Sequence, residues 1–229
     1  IENGYALRSS VGEIIVQTSH PHRSNLGGGQ MDFAAWFFLP IAMRLGKNLH
    51  IKGAGHSATR ENFRKLSEIW RSWLPGHFDV VTCSFAETIE VDPGGSDDAG
   101  DLLLYSGGVD AAFSGLRRHR NGMRQHLLTV HGMDYQLSNE NHFNALMEKT
   151  AAFARTLSDT RIVVRTNAYA LYHEYGVNFG GHHLTHSFAL AGAAFFHASR
   201  YRRIVLAADE RLDGQFMMHP WGTNSATDH

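Results

Sequence analysis

The residues best suited to chemistry are Ser106-Gly107-Gly108-Val109-Asp110, a glycine turn that follows the apolar run Asp101–Tyr105. The two glycines allow positive φ angles and let the backbone approach a ligand without a Cβ in the way. The helix predicted to follow offers N–H groups without intrahelical partners and a partial positive charge. Ser106 adds a hydroxyl group, and Asp110 adds a carboxylate that could bind Mg²⁺. The pattern predicts a phosphate site, although an ordinary tight turn between a strand and a helix has the same features.

The turn also carries a resemblance to a known family. With the strand before it, SGGVD resembles the SGGxDS signature of the PP-loop ATP pyrophosphatases, the N-type group that includes NAD and GMP synthetases, tRNA-modifying enzymes and 7-cyano-7-deazaguanine synthase. The resemblance implies ATP and Mg²⁺ as cofactors, pyrophosphate on Ser106–Asp110, and catalytic roles for Ser106 and Asp110. This chain has Ala111 where the family has its closing serine, and the missing hydroxyl removes a phosphate contact worth about 1.5–3 kcal/mol.

Further turns are expected at the same edge, because ligands of parallel sheets bind beyond the carboxyl ends of the strands. By the same resemblance, His131-Gly132-Met133-Asp134 is expected to contact the base and ribose. Thr166-Asn167 ends the third predicted strand and could line the same crevice. Gly180-Gly181-His182 could bring backbone amides to the α-phosphate. Asp209 is a candidate for Mg²⁺ contact together with Asp110. For each segment, ordinary turn polarity is the alternative interpretation.

A second resemblance is to uncharacterised relatives of 7-cyano-7-deazaguanine synthase. It rests on the PWG-type segment His219–Asn224, on Val130–Gly132 and on Thr166-Asn167. It spans Asp101–Asp228 and, more loosely, Leu39–Pro75. The resemblance implies a heterocyclic carboxylate as substrate. The four-cysteine zinc site of that synthase has no counterpart here, because Cys83 is the only cysteine.

Two other patterns compete with the glycine turn. Gly53-Ala54-Gly55-His56-Ser57-Ala58 fits the dinucleotide motif GxGxxA, but no acidic residue lies about 20 positions further on to bind a ribose. A plain glycine loop is the preferred interpretation of that segment. His182, His183 and His186 form HHxxH, and the first and last of them would share a helical face that could hold a metal. No HExxH glutamate is present, so a histidine-based metal hydrolase is the third functional alternative.

Composition gives no reason to expect several classes of partner. The chain of 229 residues has a formal charge of −1, so neither nucleic acid nor an anionic membrane is an expected partner. Arg117–Arg120 with Arg124 is interpreted as a solvated helix face, with tRNA contact as the alternative. A single thiol cannot form an internal disulfide, which favours a cytoplasmic location. The richest apolar run, Phe33–Met43, is too short to span a membrane.

The elements that must position these turns alternate along the second half of the chain. Short apolar runs are followed by helical patterns, with strands predicted at Asp101–Tyr105, Leu127–Val130, Ile162–Val164 and Ile204–Ala208. This order predicts an α/β fold with a parallel sheet and helices on both faces. The family resemblance implies the Rossmann-like, adenine nucleotide alpha-hydrolase-like form of that fold.

A segment rich in Pro, Gly, Ser and Asp, Asp92–Gly100, predicts a domain boundary. Residues 1–98 are expected to form a small α+β N-terminal domain, and residues 99–229 the PP-loop ATP-binding α/β domain. In the first of these, a helix is predicted between a cap at Thr59 and a stop at Pro75-Gly76.

The function expected from these observations is that of an ATP-dependent, ligase-type enzyme. It would adenylate a carbonyl or carboxylate of a small-molecule substrate and release pyrophosphate. The alternative is a non-catalytic adenine-nucleotide-binding or sensor module, which Ala111 favours. A homodimer is the oligomer considered for either function.

Overall fold

The computed structural model describes residues 3–20, 30–90, 100–178, 181 and 184–207. Within these ranges the strands are β1 (Gly4–Ser9), β2 (Gly12–Thr18), β3 (Leu49–His56), β4 (Cys83–Ile89), β5 (Asp101–Leu104), β6 (Gln125–His131), β7 (Arg161–Thr166) and β8 (Arg203–Val205). The α-helices are α1 (Asp32–Leu45), α2 (Ser57–Trp73), α3 (Val109–Arg120), α4 (Glu140–Leu157), α5 (Ala168–Glu174) and α6 (His186–Phe195).

Six strands form one sheet in the order β1-β2-β7-β6-β5-β8. Strands β7, β6, β5 and β8 are parallel, whereas β2 pairs antiparallel with β7 and β1 with β2. All four residues of β5 are buried, as expected for a strand covered on both faces. The α/β class is therefore confirmed. The sheet is mixed rather than purely parallel, because the β1-β2 hairpin adds two antiparallel strands at its edge.

Helices α3 and α4 pack on one face of this sheet. Side chains from β5 and β6 meet side chains from both helices in one apolar cluster, whose buried members are Leu103, Tyr105, Ala111, Leu127, Ala154 and Leu157. Leu103 and Leu127 are paired in the parallel register. They therefore lie on the same face of the sheet, where they pack against α3 and α4.

A carboxylate with three arginine neighbours lies at the amino-terminal end of β5, opposite to the end from which the glycine turn follows. Asp101 begins β5 and is 1% exposed. It accepts hydrogen bonds from Arg118 at the end of α3 and from Arg203 of β8, and the Arg202 Nε lies 3.6 Å from its Oδ1. Burial alone would raise the pKa of Asp101, but the hydrogen bonds from Arg203 and Arg118 outweigh it and hold that pKa below its usual value.

The second sheet contains β3 and β4, which are parallel and joined through α2. The GxGxxA segment begins within β3, which extends to His56, so the expected plain glycine loop is wrong. A Cβ on Gly55 would lie 2.3 Å from the Phe85 ring, so glycine is needed here for strand packing rather than for a ligand. Helix α2 begins at Ser57, and the expected cap Thr59 is a buried residue inside it. The predicted stop is confirmed, because Leu74 is the C-cap.

The chain divides into two compact units that are not contiguous in sequence. One contains residues 1–22, 93–168 and 193–207, and the other contains 23–92, 169–192 and 208–229. This differs from the expected division at residue 98, because β2 hydrogen-bonds to β7 and so joins the hairpin to the six-stranded sheet. The predicted linker lies outside the described residues, apart from Gly100.

Helix α1 supplies much of the core of the second unit. Twelve of its residues, from Asp32 to Met43, are buried. The Tyr172 hydroxyl donates a hydrogen bond of 2.7 Å to the Phe37 carbonyl oxygen. Cys83 is also buried, and burial raises the pKa of its thiol to about 12. In the part of the chain that the structure describes, no helix combines the length and apolarity of a membrane span.

Candidate functional site

Three of the predicted turns lie next to one another along one edge of the six-stranded sheet. Ser106–Asp110 follows β5 and enters α3, His131–Asp134 follows β6, and Thr166-Asn167 follows β7. Because β5, β6 and β7 are parallel neighbours, their carboxyl ends share this edge. The next parallel strand in sequence, β8, pairs with the other side of β5. The order of the strands therefore reverses at β5, which is where ligands bind in open α/β sheets.

The conformation of the first turn requires glycine at its second position. Gly107 has φ +86°, and a Cβ there would lie 2.6 Å from Thr150 Cγ2 on α4. The backbone therefore approaches α4 more closely than any other residue would allow. The Ser106 Oγ accepts a hydrogen bond of 3.2 Å from the Gly108 N–H. The hydroxyl proton of Ser106 stays available to an anion, whereas the Gly108 amide already has a partner.

Helix α3 begins beside this turn with Gly108 as its N-cap. The N–H groups of Val109, Asp110 and Ala111 have no partners inside the helix, because the residues four positions earlier precede it. Asp110 lies exposed in the first helical turn, and Val109 is 82% exposed. The expected set of backbone donors is thus available from the first turn of the helix, with the exception of Gly108.

Ala111 faces the core rather than the expected ligand. It is 6% exposed and belongs to the apolar cluster with Leu103 and Tyr105. A serine hydroxyl at this position would have to lie near apolar side chains or turn toward the helix terminus. Alanine therefore suits the packing, and the phosphate contact inferred for the family's serine is absent from this chain.

The second turn keeps its histidine in the core. His131 is fully buried and stacks on Phe143 of α4, with ring centroids 4.0 Å apart and an interplanar angle of 4°. Its Nε2 donates to the Gln136 carbonyl oxygen at 3.1 Å, and its buried Nδ1 has no hydrogen-bond partner. Burial lowers the pKa of His131, which favours the neutral ring. In this conformation the His131 ring is closed to a ligand. Only the backbone of the turn and the side chains of Met133 and Asp134 could contact one.

Gly132 brings the second and third turns into backbone contact. It has φ +112°, and a Cβ there would lie only 1.7 Å from the Thr166 carbonyl oxygen. The preceding pair, His131 and Arg165, are register partners in β6 and β7. The two turns are therefore in direct contact through their backbones, and they lie beside the Ser106–Asp110 turn at the carboxyl ends of the strands.

The side chains of the third turn serve the fold. The Asn167 Oδ1 accepts from Ile15 N–H at 2.7 Å, and its Nδ2 donates to the Glu13 carbonyl oxygen at 2.9 Å. Thr166 is fully buried, and its Oγ1 accepts from Ala168 N–H. The side-chain amide of Asn167 is therefore used to hold β2, and this contact explains the polar residue at this position without a ligand.

One group beneath the first turn was not among the predicted site residues. Arg161, at the start of β7, donates from Nε to Thr129 Oγ1 at 2.9 Å and from Nη1 to Thr150 Oγ1 at 2.8 Å. Its Cζ lies 5.1 Å from the ring centroid of Tyr105. Its Nη2 is buried and has no hydrogen-bond partner. Periodicity indicates only that an arginine precedes an apolar strand, which is the usual pattern of a solvated strand end.

The predicted residues Gly180, His182, His183 and Asp209 lie outside the described residues, as does the segment His219–Asn224. Gly181 is described and has φ +104°. Among the residues that the structure describes, no group of three or more His, Cys, Asp or Glu side chains is arranged to hold a metal ion. The proposed Mg²⁺ contact through Asp110 and Asp209 and the HHxxH alternative stay predictions.

A separate cavity of about 490 Å³ lies between the start of α4 and strands β2 and β7. Its lining includes Gln17, Phe143, Met147 and Arg165. Arg165 is already paired with Glu140, so the cavity presents no unpaired charge from this residue. The glycine turn, with its backbone donors and the cation beneath it, has the more specific chemistry for an anion.

Comparison of the chain with protein-family models, with curated proteins and with solved structures gives no match.

Proposed function

We propose that this chain is an ATP-dependent, AMP-forming enzyme of the PP-loop type, with pyrophosphate bound by the Ser106–Asp110 turn. The observation that carries the proposal is the position of this turn. It lies after the strand at which the sheet order reverses, and its Gly107 has a positive φ in a space that excludes a Cβ. The order β7-β6-β5-β8 corresponds to 3-2-1-4 in sequence order, as in the first four strands of a Rossmann-like sheet. This correspondence supports the finer fold assignment.

The roles of the residues follow from their positions. The first-turn N–H groups of α3 and the Ser106 hydroxyl would bind phosphate oxygens, and the partial positive charge of the helix would stabilise them. Asp110, which is exposed at the rim, would hold Mg²⁺ against the phosphates, with Asp209 as the second candidate ligand. The backbone of His131–Asp134 would lie beside the adenosine. Bound Mg²⁺ would supply charge neutralisation for the phosphates.

The reaction requires positioning and charge stabilisation more than acid–base chemistry. A carboxylate or carbonyl oxygen of the substrate forms a bond to the α-phosphorus, and the bond from that phosphorus to the bridging oxygen breaks. The bonding electron pair leaves with pyrophosphate, and a nucleophile such as ammonia later displaces AMP. We propose a heterocyclic carboxylate as the substrate class, from the resemblance to relatives of the deazapurine enzyme. A cytoplasmic location and a homodimer belong to the same proposal.

An isotope-exchange assay tests the proposed function directly. The protein is incubated with ATP, Mg²⁺ and labelled pyrophosphate in the presence of each member of a panel of heterocyclic carboxylates. Substrate-dependent incorporation of label into ATP, with AMP as the final nucleotide product, is the expected result. Release of ADP and phosphate instead would contradict the proposal.

The matched variants for this assay are Asp110→Asn and Asp159→Asn. Asp110 lies at the proposed phosphate site, whereas Asp159 is exposed immediately before β7, at the other end of the strands. We expect loss of a Mg²⁺ ligand to slow exchange by about 10²-fold or more, on the scale of other preorganised electrostatic contacts. The Asp159 variant should retain wild-type exchange. Equal rates for all three proteins would remove Asp110 from the site.

A non-catalytic nucleotide-binding module is the second candidate. Two observations favour it: Ala111 is part of the apolar cluster, and the Gly108 N–H is bonded to Ser106. Both reduce the number of contacts to phosphate without removing the glycine turn. Tight ATP binding without isotope exchange for any carboxylate would favour this candidate over the enzyme.

A further inference from the structure

We propose that Arg161 supplies the positive charge that binds the pyrophosphate anion from beneath the glycine turn, an inference that rests on the proposed function. The turn Ser106–Asp110 contains no lysine or arginine. Phosphate sites commonly combine backbone amides with a cationic side chain, because amides alone do not balance the charge of pyrophosphate. The Arg161 guanidinium lies against the ring of Tyr105, the residue immediately before this turn.

Each group that contacts the Arg161 guanidinium is linked directly to the turn or to the residue before it. Tyr105, whose ring lies under the guanidinium, is the residue before Ser106. The Thr129 hydroxyl, which accepts from Nε, donates to the Tyr105 carbonyl oxygen at 2.7 Å. Thr150, which accepts from Nη1, has its Cγ2 against Gly107. The charge is therefore separated from the turn by single side chains.

The charge on Arg161 is not neutralised within the described part of the chain. No described carboxylate lies within ion-pair distance of its guanidinium, and its buried Nη2 makes no hydrogen bond. Asp101 provides the contrast, because three arginines surround that one carboxylate. A partly buried cation without a counterion is costly to the unliganded protein. An anion on the turn would offset part of that cost, so the same charge that destabilises the free protein favours binding.

Two hydroxyl groups make this inference testable by substitution. Thr129 and Thr150 accept hydrogen bonds from Arg161, but each also donates its own proton to a carbonyl oxygen, of Tyr105 and Leu146 respectively. Removing the guanidinium therefore leaves no hydroxyl without a bond. Methionine at this position would keep the apolar contact with the Tyr105 ring and remove the charge.

The experiment measures the binding of inorganic pyrophosphate with Mg²⁺ by calorimetry, together with unfolding by urea without ligand. For Arg161→Met we expect affinity to fall at least tenfold, the order given by two charges about one side chain apart in a partly buried site. The urea midpoint of the free protein should stay the same or rise. Arg161→Lys, which keeps a charge, should lose less affinity than Arg161→Gln, and this pair serves if the methionine variant does not fold.

Arg155→Met is the matched control, since Arg155 is an exposed arginine on α4. It should bind pyrophosphate like the wild type. If the wild type binds pyrophosphate and Arg161→Met binds it equally well, the role of Arg161 is refuted while the proposed function stands. A lower urea midpoint with unchanged affinity would assign Arg161 a purely structural role. If the wild type binds neither pyrophosphate nor ATP, both proposals are wrong.

Discussion

At the scale of single residues, the glycines of the candidate site are required by the packing of the fold and not only by a ligand. Gly107 and Gly132 both have positive φ angles, and in both cases a Cβ would overlap a neighbouring residue of the fold itself. Each would be required even if no ligand bound. The sequence could predict a glycine turn, but it could not show that Thr150 and Thr166 are the groups that exclude a side chain.

The first prediction concerns Gly132→Ala. The new methyl group would overlap the Thr166 carbonyl oxygen, and alanine would also be strained at φ +112°. We expect the free energy of unfolding to fall by about 3 kcal/mol or more, since strain of this kind alone costs about 1–3 kcal/mol. Urea unfolding followed by circular dichroism measures the change.

Gly122→Ala is the matched control for that substitution. Gly122 also has a positive φ, +68°, but nothing lies within 4 Å of a Cβ built there. Its cost should be only the backbone strain, about 1–2 kcal/mol. Equal losses for the two variants would show that the contact between Gly132 and Thr166 contributes nothing to stability.

Two predicted ligand residues show why side-chain roles are harder to infer than turns. The sequence predicts a ligand role for His131 because it ends a strand, yet its ring is stacked on Phe143 and its Nε2 donates to a carbonyl oxygen. The sequence predicts a ligand role for Asn167 for the same reason, but its side-chain amide is hydrogen-bonded to the backbone of β2. Phe143 belongs to α4 and Ile15 to β2, so the groups that hold these two side chains come from other elements of the structure. No local signal distinguishes such a polar side chain from one that faces a ligand.

At the scale of elements, Asp101 joins β5, α3 and β8. Its carboxylate is held by Arg118 and Arg203, and the hydrogen bonds from these arginines outweigh burial and keep the pKa of Asp101 below its usual value. A carboxylate whose folded pKa is lowered stabilises the protein above its unfolded pKa of about 3.9. That contribution is lost as the pH falls from there through the folded pKa.

The corresponding prediction is for Asp101→Asn. Breaking a buried ion pair costs about 3–5 kcal/mol, and we expect the lower end because the Arg203 side chain is 53% exposed. The difference from wild type should be largest above pH 4 and should shrink as the pH falls below it. Urea unfolding at a series of pH values from 2 to 7, as a design range set by the reference pKa of Asp, measures this difference.

Asp159→Asn provides the comparison, because Asp159 is exposed. It should change the free energy of unfolding by less than about 0.5 kcal/mol at any pH in the series. A pH-independent loss for Asp101→Asn would contradict the electrostatic explanation and indicate a packing defect instead.

The elements of the parallel region were predictable because their patterns are local. The structure confirms strands at the four apolar runs after residue 100, although β8 ends at Val205 within the described residues. Strand β1 is not predicted from the sequence, and neither is the second half of β3, where the sequence predicts a glycine loop. The second half of β3, Gly53–His56, resembles a turn in sequence, and only its pairing with β4 gives it strand geometry.

At the scale of the whole molecule, the division of the chain was the least predictable property. The Asp92–Gly100 segment has the composition of a boundary, but the N-terminal hairpin belongs to the same unit as the strands that follow this segment. The hairpin joins by pairing Val16–Thr18 with Val164–Thr166, more than 140 residues later. Local composition carries no information about a contact of that range.

The last prediction follows from this pairing. Deleting residues 1–22 would expose one edge of β7 and remove Ile14 and Val16, both fully buried. We expect the truncated protein to lose its cooperative unfolding transition or to aggregate, because an uncovered edge strand can pair with other chains. Circular dichroism and light scattering measure these outcomes.

A synthetic peptide of residues 1–22 is the control for the deletion. Added in excess, it should restore the transition, because strand addition at a free edge supplies the same hydrogen bonds. A peptide with Val16→Asp should fail to do so. If the truncated protein unfolds at the wild-type midpoint, the rest of the chain does not need the hairpin for its stability.

Under the proposed function, the contact between Gly132 and the Thr166 carbonyl has a consequence for altering substrate specificity. Main-chain atoms, rather than side chains, set the spacing of the two turns. Substitutions at Met133 or Asp134 could therefore change the polarity and charge that a substrate meets without widening the space available to it. A bulkier substrate would have to be accommodated by a shift of the two strand ends together.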